Sequence, residues 1–260
     1  MSIKSHGSSE NHTRFQVRSV TLSRPFYWIR KGCQDLWYYP GSSIAYGVIV
    51  TALGLIVLLS ASSHIYLIAA AVSGFLLVGP IMASGLCELS RLQERGEPVS
   101  FDNSLDVLGR NKTSLIRFAA ILLGFSVFWF ILSGLVLFAV IGNIAPSINE
   151  TLWGGFLDLV TPLQLVLYII VGGTLACIVF VLSVVSVPAI IDSPVTAMDS
   201  MLLSIRVVAA NLPAMIIWAG LIVVLTAVGF VTCLLGMIVV YPLLGHATWY
   251  AYRDLVKNGD

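Results

Sequence analysis

The chain has 260 residues, of which 58% are hydrophobic and only 10% are charged, and its mean hydropathy is +0.94. Water-soluble domains are about 45–50% apolar and about 25% charged. This composition excludes a soluble enzyme, a nucleic-acid-binding protein and a disordered protein, and it predicts a polytopic membrane protein. The chain has 14 Lys and Arg residues and 13 Asp and Glu residues, so its net charge is only +1. No overall electrostatic field therefore attracts nucleic acid.

The amino-terminal end is polar and basic for its first 23 residues. It lacks an apolar core of about 7–15 residues, so we expect no cleavable signal peptide. We therefore divide the chain into a polar cytoplasmic tail at 1–23 and a single six-helix membrane domain at 24–257. The four cysteines are widely scattered and form no Cys-x-x-Cys pair, which favours structural thiols over disulfides or a metal site.

Apolar stretches long enough to cross the bilayer predict six transmembrane helices. A crossing needs about 20 apolar residues. The 40 residues from Pro213 to Tyr252 carry no formal charge and are about twice as long as one span, so the chain is expected to reverse between Gly229 and Gly236. Four or five helices is the alternative count, because that last hairpin is tight. The expected spans are about 44–62, 65–89, 115–141, 164–190, 213–230 and 234–252.

The distribution of positive charge predicts the orientation. With six spans, all 14 basic residues fall before the first span, in or beside the second-to-third and fourth-to-fifth connections, or after the last span. The opposite side carries only Glu150 and Asp158. The positive-inside rule then places both termini of the multi-pass protein in the cytoplasm. The same bias favours an even number of crossings.

Each predicted hairpin is preceded by an amphipathic segment, at 25–40, 100–111 and 193–211. Apolar residues recur in these segments at spacings of three and four, which places them on one face of a helix. Such helices suit the headgroup layer, although ordinary amphipathic linkers would show the same pattern. The predicted fold class is all-α, a polytopic membrane protein with six transmembrane helices as three hairpins and amphipathic interfacial helices.

In the first and last of these segments, the residues of the apolar face can be named. In the last segment, Ser193 is expected to cap the helix and Pro194 to occupy its first turn. The apolar face of the first segment consists of Phe26, Ile29, Cys33 and Trp37, and that of the last consists of Met198, Met201, Leu202 and Ile205.

The second helix of each hairpin contains a proline, which indicates a threefold internal repeat with kinked helices. These prolines are Pro80, Pro188 and Pro242. Kinked helices in an ordinary bundle are the alternative explanation. Four residues after each proline stand Ser84, Asp192 and His246, and we predict that these three form a substrate-binding site near the cytoplasmic surface. For His246, the alternative is a hydrogen bond to a neighbouring helix.

The sequence shows neither charged residues in the middle of a span nor a motif typical of an enzyme. No Asp, Glu, Lys or Arg lies in the middle of a predicted span, which argues against an ion-coupled secondary transporter. The sequence also contains no nucleotide-binding loop, zinc-protease helix, nucleophile elbow or haem-attachment motif. We therefore expect no enzyme activity, no metal site and no cofactor.

Three segments resemble a known family. They are VRSVTLSRPFYWIRKGCQDL at 17–36, FLLVGPIMASGLCELSR at 75–91 and VVYPLLGHATWYAYRDLV at 239–256. In them the chain is similar to a bacterial family of predicted integral membrane proteins of unknown function, and the resemblance extends over nearly the whole length from Val17 to Val256. It implies a multi-helix inner-membrane protein of a Gram-negative bacterium, and it implies no activity.

Some members of that family carry a label likening them to cytochrome c oxidase subunit I. A haem–copper catalytic subunit needs several intramembrane histidines as ligands. This chain places only His246 within a predicted span. The residues therefore argue against a literal reading of that label.

The expected function is a non-catalytic structural or accessory component of a membrane assembly, packed through faces of small residues. The alternative is a permease-like carrier of a neutral or weakly polar small solute, and a third hypothesis is a membrane enzyme acting through Asp192 and His246. A polar cavity at the midplane would favour the carrier. The expected partners are the lipid bilayer and other membrane proteins or further copies of the chain. The small residues concerned are Gly172, Ala176, Gly220, Gly229, Gly236 and Gly245.

Overall fold

The computed structural model describes residues 15–61, 82–141 and 161–258, and these residues are almost entirely helical. A short antiparallel pair of strands joins their two ends. In chain order the elements are β1 (Phe15–Val17), α1 (Arg24–Tyr38), α2 (Pro40–Ala61), α3 (82–94), α4 (Phe101–Leu105), α5 (Val107–Arg110), α6 (Lys112–Ile141), α7 (Pro162–Ser183), α8 (Ser186–Asp192), α9 (Ala197–Ala210), α10 (Leu212–Val231), α11 (Met237–Leu255) and β2 (Val256–Asn258).

Three helical stretches among the described residues are long and apolar enough to cross a membrane. They are Lys112–Leu132, Ile170–Asp192 and Leu212–Val231, and they coincide with the predicted third, fourth and fifth spans. The pair α1 and α2 meets the same test jointly, but its two helices are bent by 106°, which brings the count to at most four. The predicted arrangement of six spans in three hairpins is therefore not confirmed. Most of the predicted second span, 65–89, lies outside the described residues.

The last helix, α11, forms the centre of the described fold. It contacts α1, α2, α8 and α10, and residues along most of its length are buried. The carbonyl oxygen of Gly245 accepts a hydrogen bond from the Cys87 thiol of α3 at 3.6 Å. Helix α11 corresponds to the predicted sixth span, and much of its surface faces other helices of the chain.

Glycines allow two helices to approach the backbone of α11. A Cβ atom at Gly47 of α2 would lie 2.0 Å from the carbonyl oxygen of Ile238. A Cβ at Gly32 of α1 would lie 2.7 Å from the carbonyl oxygen of Leu243. Small residues permit close packing of this kind. The prediction of close packing at Gly245 agrees with the structure, where a Cβ would lie 2.6 Å from a side-chain carbon of Leu86, whereas Gly32 and Gly47 were not predicted.

The chain reverses between α10 and α11, within the predicted interval from Gly229 to Gly236. Residues 232–236 form the turn, and both Cys233 and Leu234 adopt positive φ angles of 53° and 69°. The Thr232 hydroxyl accepts a hydrogen bond from the Gly236 amide at 2.8 Å. The reversal predicted from helix length alone is thus present.

Helix α1 is turned sharply away from α2 and buries a face different from the one the sequence pattern marked as apolar. Its buried residues are Pro25, Trp28, Gly32 and Asp35. Phe26 and Trp37 of the marked face are 57% and 82% exposed. Phe26 and Trp37 therefore point away from the described protein, whereas Ile29 and Cys33 of the same face are half-buried. The helix packs on α11 through a mixed face centred on Gly32.

The last amphipathic segment begins its helix later than predicted. Helix α9 starts at Ala197, and the Thr196 hydroxyl caps it by accepting from the Asp199 amide at 3.1 Å. Ser193 follows the preceding helix, α8, as its carboxyl-terminal cap. The prediction that Ser193 and Pro194 begin the helix is wrong, because Thr196 supplies both the extended backbone and the acceptor oxygen.

The prolines of the expected repeat occupy unlike surroundings. The helix before Pro188 is interrupted at 184–185, whereas α11 continues through Pro242 without a break. Pro80 lies outside the described residues. The internal repeat is therefore not confirmed.

The two ends of the described chain lie side by side. Phe15 pairs with Asn258 and Val17 with Val256, and the Arg18 amide donates to the Leu255 carbonyl at 2.8 Å. The last residues of the predicted tail are thus held against the end of α11. The pairing of β1 with β2 therefore brings the two described ends to the same part of the fold.

The contact at Gly47 yields a first prediction. Gly47→Ala forces a methyl group onto the backbone of α11, so we expect a loss of stability of about 1–3 kcal/mol, typical of overpacked sites. Thermal unfolding of the detergent-purified protein measures it. Gly41→Ala in the same helix is the control, since nothing lies within 4 Å of a Cβ there. Equal stability of the two variants would contradict the close packing of α2 on α11.

Candidate functional site

Charged and polar side chains from distant parts of the sequence gather where α1, α3, α8 and α11 meet. We call this group the polar layer. It joins the second half of α11 to α1, α3 and α8. Its members are Arg24, Lys31, Asp35, Ser43, Glu88, Ser90, Arg91, Glu94, Arg95, Arg110, Asp192, His246, Tyr250, Tyr252, Arg253 and Asp254.

At the centre of the polar layer, hydrogen bonds connect Asp35 to His246. The Ser90 hydroxyl donates to Asp35 Oδ2 at 2.6 Å and lies 2.8 Å from His246 Nδ1. The Tyr250 hydroxyl donates to the same carboxylate at 2.9 Å. On the other side of the imidazole, His246 Nε2 lies 2.9 Å from the Ser43 hydroxyl. These contacts fasten α1, α2 and α3 to α11.

The bonding pattern determines where the protons sit. Because the Ser90 proton is committed to Asp35, the Ser90 oxygen is left to accept from an N–H at His246 Nδ1. His246 Nε2 then accepts from the Ser43 hydroxyl, and every polar atom of the imidazole is satisfied. The set contains a serine, a histidine and an aspartate, the residue types of a hydrolytic triad. However, Ser43, Ser90, His246 and Asp35 are at most 1% exposed, so a substrate has no route to either hydroxyl.

Burial controls the ionisation of Asp35. Desolvation raises the pKa of the Asp35 carboxyl, although hydrogen bonds from Ser90 and Tyr250 and the charge of Lys31 act in the opposite direction. Ionisation of the buried Asp35 carboxyl is thus unfavourable in free energy, and the hydrogen bonds from the two hydroxyl groups reduce that penalty.

A second buried carboxylate, Glu88, binds two guanidinium groups. Arg91 donates to both of its oxygens at 2.6 Å, and Arg110 donates to them at 2.7 and 3.3 Å. Glu88 is fully buried and Arg91 is 4% exposed. The Glu88 contact raises the pKa of Arg91, so this arginine remains charged. The cluster anchors α5, which precedes α6, to the end of α3.

Asp192 forms a third cluster, at the end of α8. Its Oδ2 accepts from the Tyr252 hydroxyl at 3.0 Å. Arg95 and Arg253 approach the carboxylate at 3.8 and 3.9 Å. Arg253 also pairs with Glu94 at 3.1 Å. These contacts connect the end of the predicted fourth span to both α3 and α11.

The start of α1 is fastened to the end of α11 by Asp254. Arg24 makes a bidentate ion pair with this carboxylate, with its Nε 2.6 Å from Oδ2, and Trp28 Nε1 donates to the same oxygen at 2.8 Å. Burial alone would raise the pKa of Asp254, but the hydrogen bonds from Arg24 and Trp28 outweigh it and hold that pKa below its usual value.

Beside these clusters lies a cavity of about 370 Å³. It is bordered by α1, α3 and α11, and most of its lining belongs to the polar layer. The side-chain oxygen of Gln93 is buried and has no hydrogen-bond partner among the described residues. The lining residues are Arg24, Tyr27, Lys31, Gln93, Glu94, Tyr250, Arg253 and Asp254.

The three residues predicted to form a substrate site have different surroundings. His246 bonds to Ser43 and Ser90, and Asp192 bonds to Tyr252, so the described contacts of His246 include neither Asp192 nor Ser84. Ser84 is fully buried. A substrate site made from these three residues stays a prediction. For His246, the alternative of a hydrogen bond to neighbouring helices agrees with the structure.

Sequence reasoning missed the partners that surround His246 and line the cavity. Asp35 and Lys31 were assigned to the polar face of an amphipathic helix, and Tyr250 was placed inside a span. One signal was present, since Asp35 and Lys31 are four residues apart and so lie on one helical face. The sequence offered no way to see that α11 would lie against that face.

Asp35 yields a prediction about pH. The pKa of Asp35 is higher in the folded than in the unfolded protein. The stability that Asp35 contributes is therefore fully present when the pH is below about 3.9, the pKa of an aspartate in the unfolded chain. That contribution is lost as the pH rises through the folded pKa. Asp35→Asn removes this titration, so we expect its unfolding midpoint to lack the decline seen in the wild type. The exposed Asp102→Asn is the control, and a decline that persists in Asp35→Asn would refute the assignment.

The Glu88 cluster yields a prediction about buried charge. Glu88→Gln leaves the guanidinium of Arg91 buried beside an uncharged group, and we expect it to cost about 3–5 kcal/mol. The double variant Glu88→Gln, Arg91→Gln removes both charges and should be more stable than the single variant. Denaturant unfolding compares the two. If the double variant is the less stable, desolvation of Arg91 is not the cause of the loss.

Comparison with known families agrees with this architecture. Residues 67–192 match the model of a family described as predicted integral membrane protein (DUF2189), whose function is unknown. This match includes the second of the three segments in which the sequence resembles such a family. No curated protein and no solved structure matches the chain. The expected resemblance is confirmed: through residues 67–192, the chain is similar to DUF2189, a family of predicted integral membrane proteins of unknown function.

Proposed function

We propose that the protein is a non-catalytic accessory component of an assembly in the bacterial inner membrane. The observation that carries this proposal is a set of exposed glycines, one in each of the three helices that are long and apolar enough to span. At Gly124 of α6, Gly173 of α7 and Gly220 of α10, a Cβ atom would meet nothing within 4 Å among the described residues.

Glycine in the interior of a helix costs about 0.8–1.0 kcal/mol relative to alanine. At Gly47 the close approach of another helix compensates for that cost, whereas at these three positions the described chain offers no compensating contact. In lipid, glycines on a helix surface let a second helix approach closely. The three glycines therefore support packing against helices of another membrane protein or of further copies of the chain.

The rival functions receive less support from the described residues. A carrier would need a polar cavity midway along its spans, but the cavity of about 370 Å³ is bordered by charged residues at helix ends. An enzyme acting through Asp192 and His246 would need both groups to reach a substrate. His246 is 1% exposed and committed to two serines.

The proposed orientation places both termini and the polar layer at the cytoplasmic surface. The pairing of β1 with β2 puts both described ends on one side of the molecule. Arginines from the start of α1 and the ends of α3 and α11 lie in the same layer, where the positive-inside rule expects them.

We further propose that α1 lies in the headgroup layer. It is bent by 106° from α2, so it runs roughly across the direction of that helix. Trp37 and Tyr38 are 82% and 70% exposed, and aromatic residues of this kind concentrate at the membrane–water interface. The exposed aromatic residues of α1 are thus suited to contact lipid.

The assembly role is tested by extracting the tagged protein from its native membrane in mild detergent. We expect the wild type to co-purify with another membrane protein in a fixed ratio, or to form a defined homo-oligomer, measured by native gel and mass spectrometry. Gly173→Leu and Gly220→Leu fill the proposed contact surfaces and should release the partner. Both variants should fold, because a new side chain meets no described neighbour at either position.

The exposed Val223 provides a matched control on α10. Val223→Leu also enlarges an exposed apolar residue, but it does not block a glycine surface, so it should retain the partner. A wild-type protein that is monomeric in native extracts would contradict the proposal. Partner loss in Val223→Leu as large as that in Gly220→Leu would contradict the role of the glycines.

A further inference from the structure

The reversal between α10 and α11 presents an apolar surface. Phe230 and Val231, at the end of α10, are 62% and 84% exposed, and Leu235 in the turn at 232–236 is 60% exposed. The sequence from 213 to 252 contains no charged residue, so none stands in or beside this turn. In water these side chains would leave a large apolar surface hydrated, which is unfavourable.

The backbone of the same turn satisfies its own hydrogen-bond donors. Each of the nine amides from 232 to 240 donates to an acceptor within the hairpin. The Thr232 hydroxyl accepts one of these bonds, from the Gly236 amide, and itself donates to the Gly229 carbonyl at 2.9 Å. A turn in water can leave amides to be hydrated, whereas in hydrocarbon every amide needs a partner in the protein.

The hairpin is short when its length is measured from the charged groups that pack on it. Asp254 is paired with Arg24 and bonded to Trp28. The Trp28 ring packs edge-on against that of Trp218 in α10, with 5.6 Å between their centres. Because the Arg24 side chain is 37% exposed, this level lies at or outside the edge of the hydrocarbon core. From Trp218, α10 continues for 13 residues to Val231, about 20 Å, whereas the core is about 30 Å thick.

The neighbouring helix α2 extends beyond the turn. The Thr51 hydroxyl donates to the Leu234 carbonyl at 3.4 Å, and a Cβ at Gly54 would lie 3.2 Å from the Leu234 side chain. Helix α2 runs from the polar layer towards the turn and continues for seven residues after Gly54, about 10 Å. Its Ile56 and Leu59 are 60% and 72% exposed on this last part. An apolar surface suited to lipid therefore extends past the turn.

We propose that the α10–α11 hairpin enters the bilayer from the side of the polar layer and ends inside the hydrocarbon core. The turn at 232–236 then contacts lipid acyl chains and not water. The predicted fifth and sixth spans are the two arms of one inserted hairpin, and the chain returns to the surface that it left. This inference rests on the proposed placement of the polar layer at a membrane surface, and it is independent of any partner.

A spin label on Cys233, which is exposed in the turn, measures what surrounds it. The full chain carries Cys33→Ser and Cys177→Ser and is placed in vesicles of phosphatidylethanolamine and phosphatidylglycerol; Cys87 is fully buried and should not react. Collisions with oxygen report hydrocarbon, and collisions with a water-soluble nickel chelate report water. We expect frequent oxygen collisions and few nickel collisions at Cys233. The ratio of the two should be at least as large as at Val223→Cys, labelled in a Cys233→Ser background.

Each other outcome of this measurement overturns the proposal. Frequent nickel collisions at Cys233 would place the turn in water, as in a complete crossing. Few collisions with either reagent would mean that protein, and not lipid, covers the turn. Asp102→Cys is the aqueous reference, since Asp102 is exposed and close in sequence to Arg110 of the polar layer. If a label there also reports hydrocarbon, the placement of the polar layer is wrong and both proposals fail, whereas nickel collisions at both positions contradict the hairpin alone.

Leu235→Asp gives a second test. A carboxylate at the turn would lie in hydrocarbon, on a side chain too short to reach a headgroup, so we expect severalfold less protein in the membrane fraction. Leu212→Asp is the matched control, because Leu212 is 54% exposed against 60% for Leu235 but begins α10 beside Asn211, which binds the Val20 amide. This variant should accumulate like the wild type. Equal accumulation of the two variants would show that the turn is not in hydrocarbon.

Discussion

The structure depends on the pairing of charged groups that its own helices bury. A carboxylate removed from water is costly unless donors surround it, and both Asp35 and Glu88 are almost completely buried. Two hydroxyls satisfy Asp35 and two guanidinium groups satisfy Glu88. Arg91 lies in the same helix as Glu88, but Ser90, Tyr250 and Arg110 come from other helices than the carboxylates they bind. The full set of contacts is therefore formed only when α1, α3, α5 and α11 are assembled. The polar layer therefore specifies how the helices are arranged. Apolar packing between membrane helices is less selective than such pairing.

Close backbone contact provides the complementary constraint. Gly32 and Gly47 bring α1 and α2 directly against α11, and this contact places the polar side chains within hydrogen-bonding distance of one another. The bond between Ser43 and His246 depends on the approach of α2, and that between Tyr250 and Asp35 on the approach of α1. Helix packing and polar pairing are thus coupled, and neither is complete without the other.

The same arrangement separates the molecule into two regions with different chemistry. The long apolar helices expose glycines that suit contact with other membrane helices. The polar layer and its adjoining cavity lie at helix ends, beside the exposed aromatic residues of α1.

The sequence by itself determined the membrane class, the apolar stretches at 115–141, 164–190 and 213–230, and the reversal between Gly229 and Gly236. These follow from hydropathy and helix length, which are local properties of the chain. Only the tertiary structure decided which face of α1 is buried and which partners surround His246. Both depend on α11 lying against segments about 200 residues earlier, and a periodic pattern in one helix carries no information about the helix that will cover it.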